Sequence, residues 1–155
     1  MKKDYYVAYV DGMCEPKNPG GNMGIGAFVL NPNRERIFTH SDYITSESLN
    51  GQTSNNIAEY MAVISVMKFL LGDGLQNEKI IICGDSKLSI MQMRGEWKAN
   101  GGGYIPYYQK AQELKKNFKN IRFEWIPREK NSIADELSKC EAIKNGCEFK
   151  IQKQK

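Results

Sequence analysis

Histidine is almost missing from this chain: among 155 residues there is one, His40. The four cysteines show no C-x-x-C spacing and no Cys/His cluster, so a structural zinc site has no ligand set to rest on. Cys14 and Cys83 sit in unrelated contexts. Cys140 and Cys147 have the spacing to pair across a helix end, but free thiols in a reducing compartment are expected. Long apolar runs are missing too. The longest, Tyr60 to Leu71, has twelve residues and is broken by Ser65 and Lys68, against roughly 20 for a membrane span. Lys2 and Lys3 precede an apolar stretch too short for a secretory leader and without a small-residue cleavage site. A cytoplasmic protein with no membrane contact is expected. The fourteen glycines and five prolines are scattered, which excludes collagen-like and low-complexity chains.

What is present suits one compact fold. A chain of this length with 41% hydrophobic residues buries roughly 70% of its unfolded surface, enough for a core without staples. No repeat or linker interrupts it, so residues 1–145 are expected to form a single domain, followed by a polar tail over 146–155. The net charge of +4 hides an asymmetry: residues 1–78 carry six basic and nine acidic side chains, residues 79–155 sixteen and nine. The second half, with Lys110, Lys115, Lys116, Lys119 and Arg122, reads either as a solvated helix face or as a surface that follows phosphates.

The hydrophobic period changes along the chain. Tyr5 to Val10 is aromatic and β-branched and runs into Asp11-Gly12, the pattern of a strand entering a turn. After a Gly/Pro/Asn-rich stretch from Pro16 to Gly24, strands are expected over about Ile25–Leu30 and Arg36–Ile44, completing an antiparallel meander. From Ile57 to Leu71 twelve of fifteen residues are apolar, which predicts a helix buried around most of its girth. Ile80 to Cys83 is a short, wholly apolar strand of the kind covered on both faces. Helices are expected over Leu88–Met93, Tyr107–Asn117 and Ser132–Lys144, with a strand at Ile121–Ile126. This order predicts an α/β fold with a mixed sheet.

Four acids fall at element boundaries: Asp11 and Asp85 at strand ends, Glu59 and Asp135 at helix starts. Open α/β sheets place their sites there. Each position also has an ordinary structural explanation. Asp11-Gly12 is a common turn pair, and Asp85 before Ser86 suits an N-cap. Asn56 with Glu59, and Ser132 with Asp135, have capping-box spacing. Spacing alone does not separate these four from the other fourteen acids.

Their surroundings do. The segments YVDGMCEPKNPGGNMGIGAFV, TSNNIAEYMAV, IICGDSKLS and WIPREKNSIADELS resemble, in order, the four motifs of the ribonuclease H type 1 family, over about residues 5 to 142. The resemblance implies a ribonuclease H-like fold: a five-stranded mixed sheet, three antiparallel strands then parallel ones, with helices on both faces. It implies an endoribonuclease that hydrolyses the RNA strand of RNA–DNA hybrids, leaving 5′-phosphate and 3′-hydroxyl ends. It further implies that Asp11, Glu59, Asp85 and Asp135 are the catalytic, metal-holding carboxylates for two Mg²⁺ ions, with Mn²⁺ a substitute. The chemistry agrees, because carboxylates that converge need cations to stay ionised together, and hard divalent ions take oxygen ligands. Substrate contacts implied by the match are Asn18 in the glycine-rich turn, the run Ser54-Asn55-Asn56, and Lys87. Glu59 doubles as an acceptor for the 2′-hydroxyl, the group that marks RNA.

Three departures stand out. Many members carry a His in the loop before the last carboxylate. Here the loop is Pro127-Arg128-Glu129-Lys130-Asn131, most similar to a His-less subgroup with an Arg-Glu-x-Asn loop, and Arg128, Glu129 and Asn131 are the auxiliary candidates. The Lys- and Trp-rich protrusion of some members is thinned to Met93–Lys98 before three glycines. Lys87 stands where a Gln is familiar, which puts a phosphate contact in place of a base-edge one. Two other readings compete: a nuclease of the same fold acting on double-stranded RNA or DNA junctions, and a hybrid-binding module without catalysis. Nothing in the sequence asks for a protein partner, and a monomer is expected.

Overall fold

The structure, a computed structural model, describes residues 4–146. Cys147 and most of the polar tail named above lie outside the described residues. Five strands form one sheet: β1 (Tyr6–Glu15), β2 (Asn22–Leu30), β3 (Arg36–Ile44), β4 (Lys79–Gly84) and β5 (Asn120–Trp125), in the spatial order β3-β2-β1-β4-β5. The pairs β1–β2 and β2–β3 are antiparallel; β1–β4 and β4–β5 are parallel. Four helices accompany them: α1 (Asn55–Gly72), α2 (Lys87–Met93), α3 (Ile105–Lys115) and α4 (Ser132–Lys144). This is the α/β arrangement expected from the order of elements. No helix among the described residues is long and apolar enough to cross a membrane.

The apolar girth of α1 has a direct cause. The helix lies on β1 and β2 and is itself covered by α2 and α3, so Ile57, Tyr60, Val63, Ile64, Val66, Met67 and Leu70 are all buried. Ile80 and Ile82 of β4 join the same core, while Ile81 and Cys83 face a smaller cluster with Val7 on the other side of the sheet. Alternation along a strand divides the two sets.

The sequence pattern misplaces the end of the first strand. Asp11-Gly12 is not a turn: β1 continues to Glu15, because β2 begins early enough to pair with it, Glu15 opposite Asn22. Gly12 serves a close approach instead. A Cβ there would lie 2.5 Å from the Ala58 carbonyl carbon and the Glu59 nitrogen, so only glycine lets α1 reach the strand. On the opposite face Gly26, the partner of Asp11 across β2, does the same for α4, whose Ala134 and Ser138 backbone atoms crowd the place of its Cβ. Two glycines thus draw one helix onto each face of the sheet beside Asp11.

Candidate active site

Parallel pairing between β1 and β4 stops at Val10 and Gly84. Asp11 and Asp85 are therefore the next residues on neighbouring strands, where the sheet opens. Glu59 reaches the same place from α1, brought in by the Gly12 contact. One ligand oxygen from each of Asp11, Glu59 and Asp85 lies within 4.8 Å of the others. Asp11 is 0% and Glu59 2% exposed, and Asp85 is half-buried. A single backbone amide joins the inner two: the Gly12 N–H donates to Asp11 Oδ1 at 3.0 Å and to Glu59 Oε1 at 3.1 Å.

Asp85 is held from outside its own strand. Asn131 Nδ2 donates to Asp85 Oδ2 at 3.0 Å and to the Val10 carbonyl at 2.8 Å, which ties the start of α4 to both strands. Trp125 Nε1 donates to the Asp85 backbone oxygen at 3.2 Å. Asp135, buried in α4, is not one of the three grouped carboxylates. Its Oδ2 lies 3.5 Å from Lys139 Nζ, one helical turn on. The structure thus gathers three of the four sequence candidates and places the fourth on α4, one turn beyond Asn131.

The capping expectations resolve differently from their spacing. Ser54, not Asn56, caps α1, accepting from the Ile57 N–H at 3.1 Å. Ser86, not Asp85, caps α2, accepting from the Ser89 N–H at 3.3 Å, which leaves the Asp85 carboxylate for the cluster. Asn131 stands at the N-cap position of α4 but makes no side-chain cap bond; its amide is used on Val10 and Asp85.

A groove of about 230 Å³ runs past the cluster, lined by Asn18, Asn55, Glu59, Asp85, Ser86 and Arg128, with Cys14 and Glu15 in its wall. Three residues singled out by sequence, Asn18, Asn55 and Arg128, share this groove with two of the carboxylates. Asn18 Oδ1 accepts from the Asn55 N–H at 2.9 Å, and Gly20 N–H donates to the Thr53 carbonyl at 2.9 Å, so the glycine-rich loop and the start of α1 form one wall. Burial pushes the Cys14 thiol pKa up, and its Sγ donates to the Lys17 carbonyl at 3.2 Å. Asn56 is half-buried and Lys87 and Glu129 are exposed; none of the three lines the groove.

The donor set fits a hard divalent cation. It consists of carboxylate oxygens without thiol or imidazole, the preference of Mg²⁺ or Mn²⁺ over zinc. Size alone would have pointed elsewhere: a larger hollow, about 310 Å³, lies against β5 between Arg94, Lys115 and Arg122 and contains no candidate carboxylate of the cluster. Lys115 is also removed from any phosphate-following surface. Its Nζ donates to the Met93 carbonyl at 2.6 Å and sits 5.7 Å from the Phe123 ring centroid, and burial lowers its pKa. Lys110, Lys116, Lys119 and Arg122 remain exposed. Trp97, in the thinned Met93–Lys98 stretch, is 44% exposed. His40 stacks on Phe38 within β3, far from the carboxylates in the sheet order. Trp125 was not legible as a site residue, since only the β4–β5 register, Trp125 opposite Gly84, brings it beside Asp85.

Comparison with known proteins agrees with this geometry. The reverse transcriptase-like family matches residues 10–140. The bifunctional protein Rv2228c of Mycobacterium tuberculosis is 32% identical over 121 residues, 78% of this chain and 31% of that protein; the chain thus spans about a third of that relative. The structure of ribonuclease H1 from the archaeon Halobacterium salinarum superposes with a TM-score of 0.77 at 26% identity, covering 92% of this chain and 99% of that one. LC11-RNase H1, solved in complex with an RNA/DNA hybrid, gives a TM-score of 0.77 at 31% identity, covering 89% and 99%. By its family match and its shared fold, the chain belongs to the reverse transcriptase-like family and, within it, to the type 1 ribonucleases H.

Proposed function

We propose that this protein is an endoribonuclease that hydrolyses the RNA strand of RNA–DNA hybrids, with Asp11, Glu59, Asp85 and Asp135 holding two Mg²⁺ ions. The observation that carries this reading is the convergence of Asp11, Glu59 and Asp85 within 4.8 Å on a groove lined by Asn18, Asn55 and Arg128. Such ions, when bound, make a nucleophile of water and offset charge on the leaving 3′ oxygen, giving 5′-phosphate and 3′-hydroxyl ends.

The chain supplies the rest. Asp11 and Glu59 are fixed on β1 and α1 and share the Gly12 amide, so their positions need no reorganisation when substrate arrives. Asn131 orients Asp85 by donating to it, as residues behind a ligand commonly do. Asp135 completes the set from α4. Glu59, lining the groove, accepts the 2′-hydroxyl of the cleaved strand, the local mark of RNA. Ser54, Asn55 and Asn56, at the start of α1, contact the DNA strand, while the turn at Asn18 approaches the RNA strand. Arg128 and Glu129, in the short turn before α4, take the place of the family's loop histidine. A monomer acting alone suffices for this chemistry.

The test is cleavage in Mg²⁺ of labelled RNA annealed to DNA, beside single-stranded RNA, double-stranded RNA and double-stranded DNA, with Asp11→Asn run in parallel. Cutting confined to the hybrid, lost in the variant and with chelator, is expected. Cutting of double-stranded RNA or DNA in preference contradicts the substrate assignment. Binding of the hybrid without any cutting contradicts catalysis and leaves a binding module.

A further inference from the structure

Trp125 ends β5 opposite Gly84, which delivers its indole beside Asp85. The ring is 44% exposed, so part of its surface is open to a ligand. It is also held at two points. Its Nε1–H donates to the Asp85 carbonyl at 3.2 Å, and the Lys87 ammonium lies 5.1 Å from its ring centroid. Lys87 is exposed, and among the described residues its ammonium is in none of the ion pairs with a carboxylate. A cation on an indole face is attracted by the ring quadrupole and keeps its N–H donors for an anion.

We propose that Lys87 and Trp125 form a bracket that grips a backbone phosphate of the cleaved strand, with Trp125 the positioning residue that ties the bracket to Asp85. The proposal rests on reading the protein as a hybrid nuclease. Asp85 and Lys87 flank Ser86, the cap of α2, and the groove passes Asp85 and Ser86. One indole thus fixes both sides of this turn: its N–H edge holds the backbone carbonyl of Asp85, and its face holds the ammonium two residues on. Substrate engagement by Lys87 and the placement of Asp85 are therefore linked through a single side chain. Aromatic surface combined with a cation is a common way to follow a nucleic-acid backbone without reading sequence.

Four variants separate the two functions of the indole. Lys87→Met removes the phosphate contact and is expected to raise KM for the hybrid about tenfold with kcat little changed. It should also cut the slope of log affinity against log salt by about 0.9. Trp125→Leu, which loses both the face and the N–H, should reproduce that KM rise and lower kcat as well. Trp125→Phe keeps the face and loses the N–H, so it should lower kcat with KM nearly unchanged. In Lys87→Met/Trp125→Leu the KM effects should not add, because both remove one contact. An activity-independent readout uses Trp97→Phe, which leaves Trp125 the only tryptophan. In an Asp11→Asn background, expected to bind without cutting, saturating hybrid should change its emission. Additive KM effects, or emission unmoved by hybrid that the Trp97→Phe protein still cleaves, overturn the bracket and leave the nuclease reading standing. Absence of hybrid cleavage by the wild-type protein overturns that reading and the bracket with it.

Discussion

The inner and outer halves of the carboxylate site are built by different means. Asp11 and Glu59 are almost fully buried and meet at one backbone amide, that of Gly12. Asp85 lies nearer the rim, with the Asn131 and Trp125 side chains as partners, and Asp135, on α4 outside the group of three, is paired with Lys139. An inner pair set by backbone stays in place as long as α1 packs on β1. An outer pair set by side chains is adjusted by single substitutions on β5 and α4. On the proposed reading, the difference separates the metal anchoring that the fold would fix from the affinity and rate that local side chains would tune.

Substitutions on the inner side should have the largest effects. Asp11→Asn and Glu59→Gln each are expected to take hybrid cleavage below detection while the proteins still melt cooperatively by circular dichroism. A Glu59→Gln protein with near-normal turnover would break the distinction. Gly12→Ala comes next: its Cβ must displace the backbone of Ala58 and Glu59, at a cost of about 1–3 kcal/mol in urea unfolding, with activity reduced because the shared amide moves.

Outer-side changes should be graded. Asn131→Ala removes the donor to Asp85 and Val10 and should slow cleavage by about 10- to 100-fold. Asn131→Asp should be slower still, because it sets an acceptor against two acceptors; a faster Asp variant would show that donation to Asp85 is unimportant. Lys139→Met should have the smallest effect. It removes a mostly buried ion pair with Asp135, so its cost should appear as a lowered melting temperature with cleavage at permissive temperature nearly unchanged.

The same division explains what could be read from the sequence. The bounds of β3 and α4 coincide with the expected Arg36–Ile44 and Ser132–Lys144, because local period and turn residues decide both. The apolar girth of α1 was legible for the same reason, and so were the four acids once their motifs were taken together. Gly12 was misread as a turn residue, since its purpose is set by α1, more than forty residues away. Asn131 and Trp125 depend on long-range register: the amide of one reaches Val10 and Asp85, and the other is placed by the β4–β5 ladder. Lys115 looked like part of a basic surface, and only packing against Phe123 and Met93 reveals it as a structural cation.

The most direct measurement is the Mg²⁺ dependence of hybrid cleavage by wild type, Asn131→Ala and Asp11→Asn. The wild-type protein should be inactive in chelator. Asn131→Ala should need about 10- to 100-fold more Mg²⁺ to reach half its maximal rate, since only the orientation of an outer ligand is lost. Asp11→Asn should stay inactive at every concentration. Recovery of Asp11→Asn at high Mg²⁺, or cutting by the wild-type protein in chelator, would contradict a metal site anchored on the inner carboxylates.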